Sequence, residues 1–424
     1  MMLSAFRVSK FTLIVILLTT LLTTIPAVAE AILSEIFPIS ADDSLDESTP
    51  AIAYNPDREE YLVVWMNEST KNFIQAQRLD KYGNKIGDLI DIANADGHHM
   101  LFPDVAYNTQ HKQYLVVWED LDKIKWRGDI YARRISPTGT LMDTFDILVA
   151  GNDSNLDAYT PAVAYSSVSD RYMLVWAEYN ISTANRTIYT QKMTDEGYYD
   201  GSADPLITPS TEDLGKIDIA YNPSIDRHLV VWEEFSNVDH VHNIVGMQVH
   251  GDGGTYSTKF TIDSYPNESS LPAVAAISNP LGDIKFLVVH QYEWKLHDND
   301  IHGTFIEENG GINTIVFPAN TTNDESMPAV AGSEGAGKYL VVWRESFGIG
   351  DNHIRGRLFD INGDYLEGIY ELNGAYAAEG ATAAGDRGDF LIAWQDYPDG
   401  QTKRDLFGAI LSQQNSIFIP LVTQ

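Results

Sequence analysis

Cysteine is absent from all 424 residues, cations are scarce, and only one long apolar run is present. The first absence excludes disulfide scaffolds, thiolate metal sites and a cysteine-borne lipid anchor, and leaves a chain that must fold on its own hydrophobic core. The second is a matter of balance: 28 Lys and Arg stand against 60 Asp and Glu, a formal net charge of -32 at pH 7. Such a surface repels phosphate backbones and anionic membranes, so nucleic acid is excluded as a partner. The apolar run, FTLIVILLTTLLTTI from Phe11 to Ile25, follows Arg7 and Lys10 and precedes the small residues Ala27 and Ala29. That order predicts a secretory signal peptide over 1–29, and the run is too short to cross a bilayer comfortably. The mature chain is therefore expected to start at Glu30 as an exported bacterial protein without membrane insertion. It is expected to act as a monomer on an extracellular protein or glycan.

One phrase recurs along the whole mature chain: PAIAYNPDREEYLVVW, PDVAYNTQHKQYLVVW, PAVAYSSVSDRYMLVW and PAVAGSEGAGKYLVVW are four of its copies. Aligned on the last residue, the units end at Trp65, Trp118, Trp176, Trp232, His290, Trp343 and Trp394, 51 to 58 residues apart. Each opens at an equivalent position, Pro50, Pro103, Pro161, Ile217, Pro272, Pro328 and Gly380, so whole units repeat. Periods of this length signal solenoids or propellers. Within a unit, AIAY, the turn-rich NPDREE and YLVVW read as a β-hairpin, while FIQAQRLD, the YGN turn and GDLIDIA add a third and a fourth strand. The run LVV is apolar at consecutive positions, as in a sheet covered on both faces. No helical periodicity separates the units.

These features predict an all-β fold, a seven-bladed β-propeller of four-stranded antiparallel blades over residues 30–413. The seventh unit ends after its third strand, DLFGAILSQ. AILSEIFPIS, residues 31–40, is expected to complete that blade and close the ring, leaving no open edge. Residues 414–424, with SIFIPLV, are left as a further strand or a tail. The PxVAYN, YLVVWED and DIYGxR phrases resemble those of a group of secreted bacterial β-propellers, most of unassigned function. That resemblance covers nearly all of the mature chain, implies the fold and an exported location, and carries no catalytic residue over.

In blades of this topology the loops after strands two and four emerge on one face, here called upper. The loops after strand four are rich in Asp and Glu, with Lys216 the one Lys or Arg among them. Two residues beyond the repeated Trp, on the same strand face, stand Asn67, Asp120, Glu178, Glu234, Tyr292, Glu345 and Asp396. A carboxylate ring there would be either a solvated rim or a site for calcium, which takes six to eight oxygen ligands. Asp42 and Asp43 of the first loop are candidate ligands on that face. The DHVH stretch supplies Asp239, His240 and His242, and with His98, His99 and His297 forms a candidate zinc or copper set. Trp126 and Trp294 fall outside the repeat and are candidate exposed aromatic contacts, whereas the six repeated Trp read as core. His290 reads as a core histidine in the place of a Trp. Three functions follow: a non-enzymatic binding or scaffold propeller with an acidic loop face, a carbohydrate hydrolase or lyase using upper-face carboxylates, or a structural component of the cell envelope.

Overall fold

The computed structural model describes residues 31–413 apart from 41–43, 152, 264–265, 279–281, 283, 297, 349, 367, 373–378, 387 and 398–401. The chain is a seven-bladed β-propeller of antiparallel blades. Blade one, Asp46–Asn55, Glu60–Glu68, Phe73–Asp80 and Lys85–Ala93, sets the pattern that the others follow. Blade seven is built from Glu379–Asp386, Asp389–Asp396 and Asp405–Gln413, and two strands from the other end of the chain complete it. Ala31–Leu33 pairs with Leu411–Gln413, and Phe37–Ser40 pairs with Leu406–Gly408. The ring is thus closed by the N-terminal strand segment. Arg404 reinforces the seam, reaching Asp46 at 2.6 Å and Glu68 at 2.8 Å in blade one.

Why the second strand is apolar at successive positions is plain from its neighbours. Leu62, Val64 and Met66 pack toward blade two, while Tyr61, Val63 and Trp65 pack toward blade seven. Every second strand is sandwiched in this way, so the alternation typical of a half-exposed sheet disappears. The six repeated Trp are all buried, each against the preceding blade. At several of these junctions a small residue at the end of the preceding fourth strand packs in the same cluster as the Trp: Ala93 with Trp118, Ala150 with Trp176 and Ala319 with Trp343.

A bulge interrupts every first strand beside the repeated Pro position, as between Ser48 and Ala51 or Leu101 and Asp104. It forces Thr49, Phe102, Thr160, Leu271 and Met327 to positive φ, a strained conformation for such side chains. The residue after the Trp compensates at three junctions. Gln395, Glu119 and Glu233 accept hydrogen bonds from the amides of Thr49, Thr160 and Leu271 in the next blade. The acid of the repeated "WE" pair is therefore a tie between blades. Asp104 and Asp218 do similar service on the first strands, accepting from Val163 N and Val274 N of the following blade, each at 2.8 Å.

Burial raises the carboxyls of these ties. Asp104 and Glu119 are each pushed up to about 7, Asp104 first by burial and then by Asp218. A carboxyl that stays protonated longer when folded than unfolded stabilises the fold at low pH and loses that contribution as pH rises through its folded value. The Asp104 and Glu119 ties are therefore expected to favour pH 5 over pH 8, on the order of 2 kcal/mol, while the buried His228 and His302, held down to about 3 and about 4, pull the other way over the same range. Asp122, held down to about 2 by the backbone amides of Lys125 and Ile124, opposes this only at lower pH. Denaturant melts across that range check it, and Glu119→Gln, whose amide oxygen can still accept from Thr160, should flatten the slope. A slope unaltered in the variant would count against this assignment.

Candidate functional site: a cleft at blade five

Blade five departs from the repeat at both positions that define the others. Its strands are Ser269–Ala276, Ile284–Lys295, Asp298–Glu307 and Ile312–Ala319. On the second strand, His290 stands where six blades have Trp, and Tyr292 stands where five of the other six have a carboxylate. Pairing places His302 directly across from His290, at the position held elsewhere by Gln75, Tyr131, Tyr189, Val245, Arg355 and Phe407. Asp263, the last residue of blade four, reaches the same point: its Oδ2 lies 2.5 Å from His290 Nε2 and accepts from Ser269 Oγ at 2.8 Å. Asp263, His290 and His302 are all buried. Among the described residues they are the one group of three or more His, Asp or Glu side chains whose ligand atoms all lie within 4.8 Å of one another.

Immediately outside this group lies a cleft of about 400 Å³ lined by Tyr292, Trp294, Asp300, His302, Phe317 and Asn320. His302 stacks on Tyr292, with ring centroids 4.5 Å apart, and meets Phe317 edge-on at 5.0 Å. Trp294 is 60% exposed at the outer wall. Burial, with His290 second, holds His302 down to about 4, so its imidazole is neutral at physiological pH. Burial, with Asp298 second, pushes Asp300 up to about 6. Glu325 is raised further, to about 7, again chiefly by burial. Glu325 lies beneath the surface with no exposure, held by Thr321, and does not line the cleft. A second cleft of about 440 Å³, between blades one and two, has charged walls from Arg78, Asp88 and Asp91 and no aromatic face.

The other candidate residues do not meet at one point. Asp120 bonds His98 at 2.7 Å, Glu234 pairs with Lys259 at 2.5 Å, and Glu345 takes Asn323 at 2.6 Å and Arg355 at 3.1 Å. Glu178 is partly buried, which raises its carboxyl, and Asp396 accepts the Tyr397 amide. Each member of the carboxylate ring thus has its own neighbours. In the DHVH turn, Asp239 accepts from Ser236, His240 lies against Phe235, and His242 bonds Glu268. Trp126 is 66% exposed in the turn between Asp122 and Arg127 of blade two, remote in sequence and blade from Trp294. Asp42, Asp43 and His297 lie outside the described residues. Sequence reasoning picked out Trp294 and noticed His290 and Tyr292, but missed Asp263 and His302. Asp263 could have been found by aligning fourth strands, because it occupies the place of Ala93, Ala150, Ala319 and Ser40.

No family model and no curated protein matches this sequence. Solved structures do. The chain is similar to the Hadza microbial sialidase Hz136, at 11% identity and TM-score 0.51, over 73% of this chain and 66% of that one. The match thus spans less than two thirds of the sialidase. It is also similar to the polysaccharide lyase Uly1, at 8% identity and TM-score 0.50 over 90% and 100% of the two chains. The intramolecular trans-sialidase from Ruminococcus gnavus gives 9% identity and TM-score 0.50 over 89% and 97%. At such identities the likeness is one of fold. Among the described residues no helix is long and apolar enough to cross a membrane.

Proposed function

We propose that the protein is an exported, non-enzymatic binding propeller and that the blade-five cleft takes a glycan. The observation that carries this reading is the lining itself: Trp294 and Phe317 offer exposed aromatic surface, and Asp300 and Asn320 offer hydrogen-bonding groups beside them. Aromatic faces suit the apolar faces of sugar rings, while a few placed polar groups read the hydroxyls. Burial of only one carboxyl in the lining favours binding over hydrolysis. Glycosidases generally set two carboxyl groups across the scissile bond, and Glu325, the other raised carboxyl nearby, is sealed beneath Thr321. The acidic loops of the same face add long-range selection against polyanionic glycans.

The test is a glycan screen of the mature chain, residues 30–424, followed by calorimetric titration of the best oligosaccharide. Trp294→Ala is expected to weaken binding at least about tenfold, the loss of roughly 1.4 kcal/mol of stacking. Trp126→Ala should leave it unaltered. Equal loss in both variants, binding indifferent to either, or release of new reducing or unsaturated ends from the glycan would contradict the proposal.

A further inference from the structure

We infer that Asp263, His290 and His302 form a zinc site that pins blade four to blade five. The inference stands apart from the glycan reading, because it rests on the buried junction and not on what enters the cleft. Three departures from the repeat meet there. Four of the other junctions have Ala or Ser from the closing strand at this place and two set Leu206 or Leu372 against the Trp, whereas this one sets Asp263 against His290. The residue paired with His290 across the sheet is His302. None of these replacements improves apolar packing: a large indole is exchanged for a smaller polar ring, and a methyl for a carboxylate. Burying such groups is costly unless each is satisfied.

The donor set suits zinc. Two imidazoles and one carboxylate are a recurring zinc ligand combination, with metal–ligand distances of about 2.0–2.2 Å and one further position left for water. Ligand atoms within 4.8 Å of one another need only small side-chain shifts to meet that geometry. Zinc would take the place of the hydrogen between Asp263 Oδ2 and His290 Nε2, 2.5 Å apart, with the neutral imidazole carrying its proton on Nδ1. Ser269 Oγ holds the carboxylate oxygen, the kind of outer contact that orients metal ligands. The two imidazoles disfavour calcium and magnesium, which prefer all-oxygen shells. Because the His302 ring also walls the cleft, the metal fixes that wall against Tyr292 and Phe317.

The mature chain, stripped with chelator and desalted, should bind one equivalent of zinc in calorimetry and melt at a higher temperature with it. Asp263→Ala, which installs the residue found at three other junctions, and His302→Gln should each weaken zinc binding at least a hundredfold. An X-ray absorption spectrum of the zinc-loaded wild-type chain needs no variant and should show two imidazole nitrogens. Absence of stoichiometric binding, an all-oxygen coordination shell, or affinity undiminished in both variants would overturn the inference. The last result would move the metal to another histidine set, such as His240 and His242.

Discussion

Removing residues 31–40 from the mature chain is expected to abolish cooperative folding at the wild-type midpoint. Those residues supply both strands that cover the Asp405–Gln413 edge. They also bury Ala31 in the core between blades six and seven and Ile39 in the core between blades seven and one. Phe37 and Leu33 pack against the same clusters. Loss of these apolar contacts costs on the order of 5 kcal/mol before the unpaired strand edge is counted. The exposed edge should also recruit other chains, so aggregation should accompany the loss of stability. Thermal melts and light scattering on the truncated protein check both, and a synthetic peptide spanning the deleted strand should restore the midpoint in part. A truncated chain that melts like wild type would mean that the ring is closed some other way.

The second large effect concerns the repeated Trp. Trp118 is fully buried and stacks on Tyr131 with centroids 6.3 Å apart, inside the cluster that joins blades one and two. Trp118→Ala should cost about 3–5 kcal/mol, the range for truncating a large buried aromatic. The measurement is the shift in denaturation midpoint at constant slope. A cost under about 1 kcal/mol would show that the blades meet without this anchor, contrary to the packing described above.

Most of the architecture could be read directly from the chain, because one period governs it. Residues that must fit between identical neighbours must themselves be nearly identical, so YLVVW recurs wherever a second strand is sandwiched. The N-terminal closure was legible for the same reason: six units with four strands make a seventh with three conspicuous. The carboxylates were harder. Glu119 and Glu233 look in sequence like surface charge, yet they hold the next blade's strained bulge, a role visible only once blades are side by side. The acids two residues beyond the Trp share a face of the strand, as the period of two requires, but Asp120, Glu234, Glu345 and Asp396 each have a local partner.

The cleft was half legible. His290 and Tyr292 announce themselves as breaks in a pattern that is otherwise kept. Asp263 and His302 do not, since the position opposite the Trp varies freely from unit to unit and the fourth strands are the least regular in sequence. What brings the three together is the junction between two blades, a relation that no linear motif encodes.

The central claim, that ligand recognition resides at blade five, is tested most directly by hydrogen exchange of the mature chain with and without its best-binding oligosaccharide. Protection confined to peptides covering 290–302 and 312–320, and absent in Trp294→Ala, is the expected result. Protection centred on another blade, or on the acidic loops alone, would contradict it.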